Sequence, residues 1–126
     1  MLQNAPQFQV SLARWEGEVR AAQGLRYEVF VIELGGDGAG VDHAARREID
    51  AFDTHADHLL LRDLRHADSE TDGVVGVYRL MTARHAAAAG RFYSEDEFDL
   101  SPLLNSGLTL LELGRPCLHA DHRGGP

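Results

Sequence analysis

Apolar and polar residues alternate near the start of the chain. Residues 8–13 read FQVSLA, and this period of two predicts a short first strand. Beyond it, apolar residues recur at spacings of three and four as far as about Glu33: Trp15, Val19, Ala22, Leu25, Val29 and Ile32. This spacing places them on one face of a helix, which needs a sheet to pack against.

The remaining pattern predicts a loop, three more strands and a short helix. Residues 35–57 have no sustained period and many turn formers, which is typical of a long surface loop. The runs 58–64 and 73–83 predict an antiparallel pair of strands. A short helix is expected near Ser101, with this serine as its N-cap.

Residues 108–119 read as a fourth strand with a proline inside it. Pro116 cannot donate a hydrogen bond to a neighbouring strand. The fourth strand is therefore expected to lie at an edge, to bulge, or to splay away from its neighbour at this residue.

Composition limits the classes of function. The 126 residues suit one domain, 1–126, and the net charge of −8 argues against a nucleic-acid partner, because phosphate binding needs a basic face. The single cysteine, Cys117, excludes an intrachain disulfide and favours the cytoplasm. We expect no transmembrane segment, because no apolar run reaches the roughly 18–20 residues that would cross a bilayer; peripheral membrane association stays open.

Five blocks of the sequence occur together in a recognisable order: LRYEVFVIE, EIDAFDTHADHLLL, GVVGVYRLMT, GRFYSEDEFDLSPLL and LELGRPCLHADHRGG. Over about residues 25–125 they resemble the GNAT-fold ornithine-acyl-[acyl carrier protein] N-acyltransferases, also called hemolysin-like acyltransferases. The resemblance implies an α/β fold, an α+β sandwich in which helices flank a mixed sheet. It also implies transfer of a 3-hydroxyacyl group from acyl carrier protein, or from coenzyme A, to the α-amine of ornithine. This is the first step of ornithine-lipid synthesis, and no cofactor is expected.

Two alternative functions remain open. The order R-Y-x-V-F, D-x-F-D, Y-R-L and E-x-x-R also resembles the acyl-homoserine-lactone synthases. Those relatives carry a tryptophan shortly after the first motif, and none stands between Val31 and Val41 here. The other alternative is a non-catalytic fragment of the domain.

The family pattern also bears on the end of the chain. In the family, the loop after the fourth strand leads into a helix and a further strand that complete the donor pocket. The resemblance therefore predicts that this chain is the N-terminal portion of the domain. On that basis we expect the chain alone to bind acyl carrier protein or coenzyme A weakly, to transfer no acyl group, and to self-associate.

Glu112 is the candidate catalytic base. An amine must lose a proton when it attacks a thioester, so the site needs a group that accepts it. The resemblance directs a carboxylate of the motif E-L-G-R toward the acceptor, and the flanking Leu110, Leu111 and Leu113 are expected to raise its pKa by desolvation. The alternative is that the Glu112 carboxylate only forms an ion pair with Arg115 or Arg79.

The resemblance places the acceptor among charged residues. The candidate acceptor-binding residues are Arg26, Phe30, Asp50, Asp53, Arg79 and Arg115. An amino acid offers a carboxylate and an ammonium group, which match a forked guanidinium and acidic side chains. The alternative for each charged residue is a structural salt bridge. Phe30 and Phe52 are expected in the core, with a pocket wall as the alternative.

The candidate donor-binding residues lie near the end of the chain. By resemblance, Leu118, Arg123, Gly124 and Gly125 hold the phosphopantetheine, since a glycine turn at a helix N-terminus presents N–H groups to phosphate. The alternative is a disordered chain end. Cys117 is expected in the core rather than as a nucleophile.

No metal site is expected from the histidines. The pairs His55 with His58 and His119 with His122 have a spacing of three, which brings side chains together on a helix. Both pairs are predicted on strand or loop instead.

Overall fold

A computed structural model of the chain describes residues 7–66 and 72–123. At its centre is a four-stranded sheet whose strands are Phe8–Leu12 (β1), Asp57–Asp63 (β4), Val74–Thr82 (β5) and Leu111–Leu118 (β6). Their order in the sheet is β1-β4-β5-β6, and every neighbouring pair is antiparallel. These strands confirm the four predicted from the sequence. No parallel pair occurs within the described residues.

One long helical segment covers one face of the sheet. Helix α1, Glu16–Arg26, continues directly into a π-helical segment, Tyr27–Glu33. Ala22, Leu25 and Val29 are buried, as their spacing predicts, and they pack with Leu60 of β4 in the first core cluster.

The predicted apolar face is wrong at its two ends. Trp15 and Ile32 are 58% and 54% exposed. Trp15 is the N-cap of α1 and precedes its first turn. At the other end the wider π-helical turn, in which the Leu34 N–H bonds to the Val29 carbonyl at 3.1 Å, lengthens the period. A spacing of three and four no longer marks the buried side there.

Two short helices follow β5. Helix α2, Ala83–Ala89, was not anticipated from the sequence, although four consecutive alanines favour it. Thr82 and His85 form a capping box at its start, and Gly90 ends it with a φ of 100°. Beneath α2 lies a second core cluster formed by Phe52, Met81, Ala86 and Phe92.

Helix α3, Ser101–Leu104, confirms the predicted short helix but not its cap. Leu100 is the N-cap residue, and Ser101 is already helical. The Ser101 N–H and Oγ–H both donate to Asp99 Oδ1, at 3.0 and 2.5 Å, so the serine hydroxyl is a donor here and not the helix cap.

The fourth strand bulges where proline was expected to disturb it. Val77 pairs with Cys117 and Arg79 with Gly114, so Arg115 and Pro116 together lie opposite one residue of β5. Arg115 has a φ of 50°, in the left-handed region. Within the described sheet β6 is also an edge strand, which confirms two of the three expected outcomes.

Residues 35–57 are more ordered than their composition predicts. They contain a hairpin, Val41–Asp42 (β2) with Arg47–Glu48 (β3), and a 3₁₀ turn, Asp53–His55. Gly40 is needed beside this hairpin because a Cβ atom there would overlap the Ile49 carbonyl oxygen. Among the described residues, no helix has both the length and the apolar character required to cross a membrane.

Candidate active site

Asp53 is the centre of a buried network of charges under α1. Its carboxylate accepts hydrogen bonds from Arg26 Nη1 at 2.9 Å and Nη2 at 2.6 Å, and from Arg79 Nη1 at 3.1 Å. Burial by itself would raise the pKa of Asp53, but hydrogen bonds and the positive charge of Arg26 outweigh it and lower that pKa to about 2. Asp53 is therefore ionised at neutral pH.

The remaining predicted acceptor residues adjoin this centre. Arg79 Nη1 also donates to Asp50 Oδ1 at 2.5 Å. Glu48 connects two arginines, since it accepts from Arg26 Nε at 2.8 Å and from Arg115 Nη2. The structure thus brings Arg26, Asp50, Asp53, Arg79 and Arg115 into one network.

Three members of the network were missed in the sequence. Gln23 Nε2 donates to Asp53 Oδ2 at 3.1 Å, Glu48 bridges the arginines, and buried His58 contacts the Asp53 carbonyl at 2.9 Å. Gln23 could have been found, because it precedes Arg26 by three residues and shares its helix face. For Glu48 and His58 the sequence carries no comparable signal.

Arg79 retains a hydrogen-bond donor that no group of the described residues uses. Its side chain is 2% exposed, and its Nη2 has no hydrogen-bond partner within residues 7–66 and 72–123. The rings of Phe52 and Tyr93 lie 5.5 and 5.0 Å from its guanidinium carbon. A buried donor without a partner costs free energy, so an anionic ligand bound there would be favoured.

An apolar groove of about 680 Å³ adjoins the network. Phe30 lies between them, because it lines the groove while the Arg115 guanidinium stacks 4.7 Å from its ring. The residues that line the groove belong to both faces of the sheet: Leu60 and Val77 lie on the face that α1 covers, and Leu118 lies on the other. By contrast Phe52 is a core residue, as predicted.

Arg123 stands at this groove with Leu118, whereas Gly124 and Gly125 lie outside the described residues. Arg123 donates from Nη1 and Nη2 to Glu33 at 2.5 and 2.6 Å, and from Nε to the Leu118 carbonyl at 2.7 Å. Its guanidinium lowers the pKa of Glu33.

Cys117 packs against the first core cluster, as expected. Burial raises the pKa of its thiol to about 11. The thiol therefore stays protonated at neutral pH, which disfavours a nucleophilic role.

Glu112 lies on β6 with both carboxylate oxygens bonded to backbone. They accept from the Tyr93 N–H at 2.9 Å and the Ser94 N–H at 2.8 Å. The prediction that three flanking leucines desolvate Glu112 is wrong for two of them. Leu111 and Leu113 are 57% and 61% exposed, because neighbouring residues of a strand face opposite sides from Glu112. Leu110 alone packs against the second core cluster.

The alternative expected for Glu112, an ion pair with Arg115 or Arg79, does not occur in the part of the chain that the structure describes. Arg79 pairs with Asp50 and Asp53, and Arg115 pairs with Glu48. Glu112 instead fixes the start of the turn Tyr93–Asp96.

The two histidine pairs noted in the sequence make other contacts. Buried His58 contacts the Asp53 carbonyl, and the rings of His119 and His122 have centroids 6.2 Å apart. A different set, Asp63, His66 and His122, places three ligand atoms within 4.8 Å of one another.

Comparison with known proteins agrees with this geometry. Residues 25–126 match the Acetyltransferase (GNAT) domain family. The chain belongs to the GNAT acetyltransferase family. The α/β fold of the GNAT domain expected from the sequence is thereby confirmed. The comparison with solved structures gives no significant match.

Several curated proteins resemble this GNAT chain. It is 52% identical over 118 residues to the L-ornithine N(alpha)-acyltransferase of Rhodobacter capsulatus, covering 94% of the chain and 46% of that relative. Proteins of the same name from Brucella abortus and Agrobacterium fabrum are 41% and 38% identical, over 92% of the chain and 42% and 40% of their own lengths. The GNAT chain thus spans less than half the length of these relatives, and the predicted resemblance to ornithine acyltransferases is confirmed.

Proposed function

We propose that the protein is an N-acyltransferase that joins an acyl group to the α-amine of ornithine. One observation carries the proposal: the buried charge network and the apolar groove meet at Phe30. An amino acid and an acyl chain require these two environments side by side. The names of the relatives support ornithine as the acceptor.

On the acceptor side, Arg79 and Asp50 carry the recognition. The free Nη2 of Arg79 would donate to the α-carboxylate of the amino acid. Asp50 is partly exposed and would attract the ammonium groups of ornithine before one is deprotonated. Arg26, Asp53 and Arg115 would hold these two residues in place.

On the donor side, we assign the groove to a 3-hydroxyacyl chain carried by acyl carrier protein. Its lining is mostly apolar and suits a long chain better than an acetyl group. Arg123 would bind the phosphate of the phosphopantetheine arm, aided by Leu118 and by Gly124 and Gly125. Coenzyme A carries the same arm and is the alternative donor. No cofactor takes part in this proposal.

The reaction we propose is direct transfer. The neutral α-amine attacks the thioester carbon, the new C–N bond forms, and the C–S bond breaks to release a thiolate, which takes up the proton that the amine has lost and leaves as the thiol. Glu112 would accept the proton that the amine loses; each of its oxygens retains a lone pair besides the one that accepts a backbone N–H. The product would enter ornithine-lipid synthesis in the cytoplasm.

An acyl-transfer assay tests this function. The full-length gene product is incubated with 3-hydroxyacyl-acyl carrier protein and a panel of amino acids, and the products are identified by mass spectrometry. We expect acylation of ornithine. Formation of an acyl-homoserine lactone from S-adenosylmethionine would support the autoinducer alternative, and no transfer to any acceptor would support a non-catalytic fragment.

Substitution of Glu112 tests its role as the base. Glu112→Gln keeps one oxygen for the backbone N–H groups but cannot accept the proton, so turnover should fall by roughly 10²- to 10⁴-fold. Steady-state kinetics and the melting temperature are measured together. Near-normal turnover in a folded variant would remove Glu112 from the mechanism.

A further inference from the structure

The end of β4 and the turn after β6 meet at Asp63. This aspartate is fully buried, and its Oδ2 accepts from His122 Nε2 at 2.9 Å and from Arg65 Nη2 at 2.7 Å. Hydrogen bonding to Arg65 holds the pKa of the Asp63 carboxyl far below its ordinary range. Because 59 positions separate Asp63 from His122, their bond joins two distant parts of the chain.

His122 directly precedes the residue to which we assign donor binding. It ends the 3₁₀ turn Ala120–His122, and Arg123 then reaches the groove. The ring of His122 also packs edge-to-face on Phe8 of β1, with 6.1 Å between centroids. The position of Arg123 therefore depends on where His122 is held.

The ion pair of Arg123 with Glu33 is the weaker of two contacts that residues 119–123 make with distant carboxylates. The side chains of Arg123 and Glu33 are 39% and 35% exposed, so solvent screens their ion pair. The Asp63 carboxylate is fully buried and ionised, and the His122 side chain is 14% exposed, so their hydrogen bond is stronger. The Arg123 Nε bond to the Leu118 carbonyl lies within the same stretch of chain. Of the contacts with distant carboxylates, the one through His122 is better suited to fix residues 119–123.

We propose that the Asp63–His122 hydrogen bond positions the donor-binding segment, so that His122 is a positioning residue for acyl transfer. The inference rests on the function proposed above. His122 touches no reacting atom; it acts through Arg123, whose guanidinium it places at the groove. Loss of the bond should weaken donor binding without slowing the chemical step.

A cation between Asp63, His66 and His122 is the competing interpretation of this cluster. Their ligand atoms lie within 4.8 Å of one another. Arg65 opposes a cation there, because its Nε and Nη2 donate to the two Asp63 oxygens at 3.0 and 2.7 Å. The geometry thus favours a hydrogen-bonded anchor.

Three variants distinguish an effect of the Asp63–His122 hydrogen bond from an effect of any histidine near Asp63. His122→Phe keeps an aromatic ring against Phe8 but removes the donor to Asp63. His122→Gln retains an N–H donor at the distance of Nε2. His66→Phe is the matched control, because His66 Nε2 lies 3.7 Å from the same Asp63 oxygen but belongs to the turn after β4.

The measurements use the full-length protein. The Kd of a non-hydrolysable amide analogue of acyl-coenzyme A is obtained by calorimetry, and kcat and both KM values by steady-state kinetics. We expect His122→Phe to raise the donor Kd and KM by roughly 5- to 30-fold, with kcat and the acceptor KM little changed. His122→Gln should restore donor binding, and His66→Phe should leave it unchanged.

Several results would overturn the inference. One is that His122→Phe and His66→Phe bind the acyl donor with equal affinity. Another is that kcat falls in His122→Phe without a change in the KM of the acyl donor. A third is that added Zn²⁺ raises the affinity for the acyl donor in wild type alone. Hydrogen exchange provides a readout that does not need activity: amides 119–123 should lose protection in His122→Phe only, and unchanged exchange would also overturn it. A wild-type protein that transfers no acyl group would instead refute the proposed function.

Discussion

Two arginine–carboxylate pairs, one in the buried charge network and one at the groove, have nearly the same hydrogen-bond geometry and very different surroundings. Arg26 and Asp53 are 1% and 2% exposed, whereas Arg123 and Glu33 are 39% and 35% exposed. In each pair both guanidinium Nη atoms donate to the carboxylate. Burial, and not hydrogen-bond geometry, therefore distinguishes them.

The difference has consequences for function. Breaking a buried pair leaves a charge without water or partner, so the Arg26–Asp53 contact is a fixed part of the fold. Arg123 and Glu33 can each exchange the other for water at little cost in free energy, because both are exposed. A phosphate could therefore replace Glu33 on Arg123. The proposed acceptor side is thus preorganised, while the proposed donor side can rearrange when a ligand binds.

The largest expected effect tests the buried pair. Asp53→Asn removes the charge that compensates Arg26 and Arg79, and should lower the free energy of unfolding by about 3–5 kcal/mol. Urea denaturation followed by circular dichroism measures it. Glu33→Gln is the matched carboxylate control at the exposed pair and should leave the denaturation midpoint unchanged; similar losses in both variants would abolish the distinction.

The next effect concerns recognition by Arg79. Arg79→Lys keeps the positive charge but not the forked guanidinium. The N–H group that we assign to the carboxylate of ornithine is therefore lost. We expect the KM for ornithine to rise about 10-fold, the effect of one charge-assisted hydrogen bond, with the donor KM unchanged. If only the melting temperature falls, Arg79 has a structural role and the acceptor site lies elsewhere.

Acid should destabilise the buried region in two stages. Burial lowers the pKa of His58 below 6.5, so the folded protein favours the neutral imidazole. Its contribution to the free energy of unfolding is therefore present above pH 6.5 and is lost as the pH falls below that value. The pKa of Asp53 falls from 3.8 to about 2, so its contribution is present above pH 3.8 and disappears as the pH falls toward 2. Denaturation midpoints across pH should show both stages.

Two variants assign these stages. His58→Gln should remove the first stage and keep the second, while His55→Gln, three residues earlier, should keep both. A pH profile for His58→Gln identical to that of wild type would show that the buried imidazole is not responsible.

The smallest effect is expected at the exposed pair. Glu33→Gln frees Arg123 for the donor phosphate, so the donor Kd should fall roughly two- to fivefold. Calorimetry with the amide analogue of acyl-coenzyme A measures it. Weaker donor binding in this variant would mean that Glu33 holds Arg123 in its productive position, contrary to an exchange of partners.

The sequence predicted the sheet well because its strands are alternating or continuous apolar runs separated by polar stretches. The α1 spacing and the disturbance at Pro116 could also be read directly. The π-helical segment could not, because its wider turn breaks the period of 3.6 on which the prediction of Ile32 rested. Helix α2 was overlooked although its alanines are strong helix formers.

Five charged residues of the candidate site were named from the sequence, but the hydrogen bonds that connect them were not. The family motifs indicated Arg26, Asp53 and Arg79, and the structure brings them together. Glu48 was missed because it lies in a segment without periodicity, held by a contact with Arg26 that spans 22 positions. Such long-range pairing leaves no trace in local pattern.

The bulge at Arg115 and Pro116 also acts as a phase shift along β6. Because these two residues count as one against β5, every residue after them faces the side opposite to that expected from simple alternation. Cys117 therefore pairs with Val77 on the core side, and Leu118 pairs with Gly76 at the groove. If β6 ran straight through both residues, these two side chains would exchange faces; deleting one bulge residue would instead straighten the strand and leave both pairings in place.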